Sequence, residues 1–293
     1  MGRQWAHNAG AGFSMLVARR GVYVVNQGFG ADAGGRWARS RRVKMTTLAR
    51  PVMALLATML ADQQALPLDA PVGQLLPALA GNDTAPAVTV GDLINRRFDL
   101  PMPDRPTVDL SARLAPIRPW MTAHNDTTRD PATRWALLAE AMENTTGKSL
   151  AELAQTHLLK PLDSRNLALA PDGTGGQTAA YDLGQIGQLL LNGGSWEQKR
   201  LAGPAAINKL IAGGPANGFE PWTGGHLSDK AFGHRNANGS LLLVDPEHQL
   251  IVVMLFDQPP IAYEPLVDQV LKTIAENLQG GGFNDFDHLP GEF

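Results

Sequence analysis

Residues 52–61 read Val-Met-Ala-Leu-Leu-Ala-Thr-Met-Leu-Ala, an almost unbroken apolar run held between Arg50 and Asp62. A helix that is apolar on every side has to be covered on every side. As a helix the run spans about 15 Å, roughly half the hydrocarbon thickness of a bilayer, so it does not cross a membrane. It predicts instead a helix buried in the middle of a large core, and no longer apolar stretch occurs in the chain. With 293 residues there is enough chain to build that core as one large domain or two interlocked lobes.

Around this helix the pattern changes along the chain. Alternating or β-rich runs lie near both ends, at Met15–Ala18, Val22–Asn26, Ser240–Val244 and Leu250–Leu255. Asp245-Pro246-Glu247-His248 separates the last two and suits a hairpin turn, because proline presets one φ angle. Helical spacing dominates the middle, in Arg134–Glu143, Leu150–Leu159, Leu183–Leu191 and Ala205–Ile211. A closing helix over Tyr263–Leu278 carries Leu266, Val267, Val270, Leu271, Ile274 and Leu278 on one face. For strands at both ends to share a core they must pair in one sheet; the helical middle then forms a second lobe beside a cleft. The expected organisation is a single α/β (α+β) domain over residues 12–293. Its sheet lobe covers about 12–46 and 200–279, its helical lobe about 47–199, and residues 280–293 form a loose tail opening on glycines.

Charge and residue types exclude several functions. A net charge of −3 supplies no basic surface for nucleic acid. The chain has no cysteine, which removes disulfides, thiolate nucleophiles and thiolate metal sites. His226, His248 and His288 show no paired metal-ligand spacing, and no glycine-rich phosphate loop stands out, so no metal or cofactor is expected. Met1–His7 is followed by no apolar run of signal-peptide length. The expected location is cytoplasmic if the chain is complete, or exported if a leader has been removed.

Met45-Thr46-Thr47-Leu48-Ala49-Arg50-Pro51 before the apolar helix, and Leu66-Pro67-Leu68-Asp69-Ala70-Pro71-Val72 after it, carry a resemblance. They resemble the nucleophile helix and following turn of the serine β-lactamase, penicillin-binding protein and esterase-B family. Phe13–Val25 is similar to that family's opening hairpin. Leu137–Glu140 with Thr146–Leu150 is similar to the helix after its Tyr-x-Asn motif, and Phe232–His234 with Val244–Glu247 to the strand pair of its third motif. The resemblance covers about Gly12 to Gln279. It implies a β-lactamase/transpeptidase-like fold, with an antiparallel sheet built from both chain ends, flanking helices and a helical lobe.

The resemblance also implies where chemistry should sit, and there the residues depart from the family. Counting back from Asp69–Val72 places Thr47 at the serine and Arg50 at the lysine, a spacing that sets two helical side chains on one face. Thr47 keeps a hydroxyl, though a hindered secondary one. Arg50, with a pKa above about 12, has no neutral form near pH 7 to act as a base. Counting back from Thr146-Gly147 puts Asp130-Pro131-Ala132 at the Tyr-x-Asn motif. Asp130 is too short for the tyrosine's role and suits the N-cap of a helix starting at Pro131, while Ala132 offers no side-chain hydrogen bond. The third motif reads His234-Arg235-Asn236: the histidine matches, and Asn236 replaces a glycine along which substrate backbone lies, so it should crowd that approach. Asn95–Leu100 departs from the family pattern as well, and Ser40-Arg41-Arg42-Val43-Lys44 has the wrong spacing for nucleophile and base.

Loss of one nucleophile or base in a serine hydrolase lowers turnover on the order of 10⁶-fold, about 8 kcal/mol. The expectation is therefore a β-lactamase-like pseudoenzyme that has lost serine acylation. It would act as a ligand-binding or interaction module for an unknown small molecule or protein partner. The alternative is an active esterase, amidase or β-lactamase with a rearranged site, in which Thr47, His234 and Asp130 supply hydroxyl, imidazole and carboxylate. A further expectation is an ion pair between Arg50 and Asp130 across the former site.

Overall fold

The computed structural model describes residues 12–32, 35–76, 88–95, 131–222, 226–258 and 263–279. The elements used below are β1 (Phe13–Arg19), β2 (Val22–Phe29), α1 (Ala49–Asp62), α2 (Val90–Asn95), α3 (Pro131–Thr146) and α4 (Leu150–Ala154). They are followed by α5 (Ala180–Leu191), α6 (Pro204–Ala212), β3 (Glu220–Pro221), β4 (Phe232–Arg235), β5 (Leu241–Asp245), β6 (Leu250–Leu255) and α7 (Tyr263–Gln279). They divide between two compact units. One holds Met1–Leu48, Thr178–Asn192 and Glu220–Phe293, and the other holds Ala49–Gln177 and Gly193–Phe219.

The first unit is a six-stranded antiparallel sheet in the order β3-β4-β5-β6-β1-β2, so both ends of the chain do contribute strands to it. Within it β1 pairs with β6 from Ser14 opposite Leu255 to Arg19 opposite Leu250. Successive side chains point to opposite faces. Phe13, Met15 and Val17 therefore join Leu241, Leu243, Val252 and Met254 in one cluster with Leu266, Val270 and Ile274 of α7. Leu16, Leu242 and Ile251 face the other way, toward α5. Gly184 lies on Leu16, and a Cβ at Gly187 would stand 2.9 Å from Ile251 Cγ2 and 3.1 Å from Leu242 Cδ1. With both faces covered, β5 and β6 are buried along their length, which is why they read as continuous apolar runs. The edge strand β2 instead leaves Val22 and Tyr23 exposed.

Residues 178–192 thus belong with the sheet, where the sequence pattern had put them in the helical lobe; paired glycines let α5 lie flat on the strands. The seam on the other side falls at Glu220, not near residue 200. Between β5 and β6 the expected turn is built around Asp245. Its buried carboxylate accepts from Ser228 N and Oγ (2.9 and 2.6 Å), Glu247 N (3.1 Å), His248 N (3.3 Å) and His248 Nδ1 (2.7 Å).

The second unit surrounds α1. Ala49, Pro51–Ala57, Met59 and Leu60 are all buried, as the apolar run requires, and α3 and α6 pack on it. Asp62 at its end accepts from Gly203 N at 2.7 Å, just before α6. Arg134 is buried yet donates to the carbonyls of Leu93, Ile94 and Ala216, so its charge is answered by chain ends of α2 and a neighbouring turn. Ser149 and Glu152 form a reciprocal cap on α4. The helix predicted over Leu150–Leu159 is α-helical only to Ala154 and then widens into a π turn, with Lys160 N bonded to Gln155 O. No helix among the described residues is long and apolar enough to cross a membrane. Pro77, residues 96–130 and the tail 280–293 lie outside the described residues.

Candidate active site

Met45 and Leu48 are fully buried, and between them Thr46 and Thr47 turn outward. Leu48 N bonds to Met45 O at 2.8 Å, closing a 3₁₀ turn over Thr46–Leu48 that leads straight into α1. Thr46 holds φ at +44°, a left-handed conformation that is an outlier for a β-branched residue. Thr47 is half-buried at the tip of this turn.

Facing the turn is the end of β4. Period-2 alternation puts His234 and Asn236 on one face and Arg235 on the other. His234 Nε2 lies 3.0 Å from Thr47 Oγ1, and the ring is only 3% exposed. Asn236 Nδ2 donates to Thr46 Oγ1 at 2.8 Å and to Met45 O at 3.2 Å. Asn236 also closes the β4–β5 hairpin through its own N–H to Ser240 O at 3.0 Å. Its side chain is 4% exposed and turned into the Met45–Thr46 turn, not out along the strand edge as the glycine replacement suggested. One strand end therefore grips three successive residues.

The carboxylate beside the imidazole is one that no sequence motif indicated. Glu220 Oε1 is 3.8 Å from His234 Nδ1, an ion-pair distance and longer than a hydrogen bond, with Glu220 half-exposed. Glu220 sits in the two-residue strand β3 opposite Gly233, and nothing in Gly218-Phe219-Glu220-Pro221 marks it in advance. Asp130, the carboxylate expected there, lies outside the described residues. Ala132 is placed as backbone within α3 (Pro131–Thr146). Arg50 lies in the first turn of α1, partly exposed and engaged by neighbouring groups. Beside it, Gly218 holds φ at +78°, and a Cβ there would meet Pro51 Cδ at 2.8 Å and Arg50 Cβ at 3.1 Å. Among the described residues no three His, Asp or Glu side chains gather as a metal site.

Chemically the arrangement is a hydroxyl, an imidazole and a more distant carboxylate in line, held by a strained turn. The family profile described as Beta-lactamase matches residues 2–272. The chain belongs to the β-lactamase family. No curated protein matches it. Among solved structures, a penicillin-binding protein homologue from Caulobacter crescentus is 18% identical, with 90% of this chain and 92% of that one covered and a TM-score of 0.69. A family VIII carboxylesterase is 17% identical over 94% and 95% of the two chains, with a TM-score of 0.70. EstCE1, a hydrolase with promiscuous acyltransferase activity, is 16% identical over 92% and 96%, with a TM-score of 0.69. At such identities the likeness establishes the β-lactamase/transpeptidase-like fold. In that fold this β-lactamase-family chain carries Thr47 and Arg50 where the family resemblance places serine and lysine.

Proposed function

We propose that this β-lactamase-family protein has lost serine–lysine acylation and retains a threonine–imidazole pair that hydrolyses small activated esters slowly. The observation that carries this reading is the 3.0 Å contact between Thr47 Oγ1 and buried His234 Nε2. A hydroxyl needs a base within hydrogen-bond reach to attack a carbonyl, and Arg50 cannot be that base. The Glu220 carboxylate at Nδ1 favours the proton on that nitrogen, leaving the Nε2 lone pair aimed at the hydroxyl.

In the reaction the Thr47 proton passes to Nε2 as the Oγ1–carbon bond forms. The imidazolium then returns that proton to the departing alkoxide as the ester C–O bond breaks. Water, activated by the same imidazole, hydrolyses the threonyl ester. Esters suit the pair better than amides because their alkoxide needs less help to leave. The carboxylesterase and hydrolase activities named for two structural neighbours point to the same substrate class.

The test is release of p-nitrophenol from short-chain esters by the parent protein, Thr47→Val and His234→Gln, with nitrocefin and a fluorescent penicillin alongside. Turnover by the parent that is absent in both variants, without nitrocefin hydrolysis, is expected. If the parent is no faster than Thr47→Val, the chain is a non-catalytic module that binds a ligand or partner. Rapid nitrocefin turnover would mean that serine–lysine-type chemistry has a substitute other than His234.

A further inference from the structure

Thr46 is the strained point of the site. At φ +44° the Cβ of an L-residue crowds the following backbone, and branching at Cβ makes this worse, whereas glycine takes the conformation freely. Such residues persist only where their surroundings over-determine them. Two features do so here. Met45 and Leu48 are anchored in the core on either side. Asn236 reaches in from β4 with one amide nitrogen shared between Met45 O and Thr46 Oγ1.

That amide is an odd choice on stability grounds. Its Oδ1 is buried and has no hydrogen-bond partner among the described residues. Leaving an acceptor dry and unpaired is unfavourable, and the glycine of the family pattern would avoid it. The amide's placement makes sense for the geometry of the next residue. His234 and Asn236 share a face of one strand end, so the element that presents the imidazole also sets the turn presenting the hydroxyl. We infer that Asn236 is a positioning residue: it clamps Met45–Thr46 in the left-handed form, and this clamp aims Thr47 Oγ1 at His234 Nε2. Without it, residue 46 relaxes to negative φ, the chain leaves in another direction, and the hydroxyl swings off the imidazole.

The functional side of this inference rests on the threonine–imidazole reading, but its structural side is measurable alone. In protein labelled with ¹⁵N-histidine, the His234 Nε2 resonance reports its hydrogen bond, with Thr47→Val as the reference for a lost contact. Asn236→Ala is expected to move that resonance to the Thr47→Val position. Ester turnover should fall by about tenfold or more in kcat, with KM little changed, because the hydroxyl is misaimed while the binding surface stays. Asn236→Leu has a similar volume and no hydrogen-bonding atom, and gives the same result; it also serves if Asn236→Ala does not fold.

The decisive variant adds Thr46→Gly to Asn236→Ala. Glycine adopts the left-handed turn without the clamp, so the Nε2 resonance and part of the turnover return. A residue that merely fills space would show no such rescue. An unmoved Nε2 resonance in folded Asn236→Ala overturns the inference, as does failure of the glycine rescue. If the parent protein hydrolyses no ester, the resonances still decide the clamp, so the two readings fail separately.

Discussion

Gly233 precedes His234 in β4, and replacing it with alanine tests how strand spacing sets the site. A Cβ at this position would collide with the Leu242 carbonyl oxygen and lie 3.0 Å from Leu243 Cα and 3.1 Å from the Leu242 carbonyl carbon. All three are backbone atoms of β5, so no side-chain rotation relieves the clash, and the strands must part by roughly 1 Å to reach ordinary contact. Overpacking of this kind costs about 1–3 kcal/mol. The short Phe232–Arg235 ladder would lose one or two hydrogen bonds as well, at about 1 kcal/mol each. The sum is a loss of roughly 2–5 kcal/mol, which for a chain of this size lowers the melting temperature by about 3–8 °C. Parting by about 1 Å also carries His234 Nε2 out of hydrogen-bond range of Thr47 Oγ1, now 3.0 Å away. Thermal unfolding and the His234 resonance should therefore change together. Gly175→Ala, at a position where a Cβ meets nothing within 4 Å, is the control and should leave both unchanged. A Gly233→Ala protein that melts within 2 °C of its parent and keeps the Nε2 contact would refute the claim that close backbone approach places the imidazole.

Three other outcomes are expected. Burial pushes the Asp245 carboxyl up, but hydrogen bonds from His248 and Ser228 outweigh it and hold it below its ordinary value, so its stabilisation is present above the unfolded pKa and lost as pH falls through the lower folded one. Asp245→Asn should accordingly cost about 3–5 kcal/mol at neutral pH in urea unfolding, with the difference from the parent shrinking in acid. Glu220→Gln removes a half-exposed charge 3.8 Å from Nδ1, a screened effect of about 1 kcal/mol, so ester kcat/KM should fall roughly fivefold with melting temperature unchanged. Thr47→Ser relieves the hindered nucleophile and should raise ester turnover about tenfold, 1.4 kcal/mol of barrier, whereas Arg50→Lys alone should add nothing if His234 is the base; the reverse ranking in a p-nitrophenyl acetate assay would restore a lysine-type mechanism.

How far the sequence carried depended on whether a feature was local. The buried helix, the two strand pairs and the closing amphipathic helix follow from runs and spacings within a few turns of chain. The assignment of α5 does not, because its partners Leu16, Leu242 and Ile251 are far away in sequence. Yet Gly184 and Gly187, three apart in an otherwise good helix, were a usable sign of close approach to a flat surface. In the site, Thr47 and His234 could be placed by motif order, since each sits at a recognisable turn or strand. Glu220 could not, since a two-residue strand has no periodicity to read. Asn236 was noticed as a replaced glycine, but its direction depends on which face of β4 meets residues 45–47, and only the pairing of distant segments fixes that.

The pairing of β1 with β6 has a consequence for how this protein comes to exist. β1 is made about 240 residues before its partner β6. Until β6 has emerged, Phe13–Ala18 has only the hairpin partner β2, and its other edge is open and apolar. The second unit has all its residues once Phe219 is made and can pack meanwhile, whereas the sheet must wait for β4 to β6 and then close a very long loop. Folding should therefore be slow and late for the sheet unit, and nascent chains stalled before residue 250 should present a sticky strand edge to chaperones and to one another.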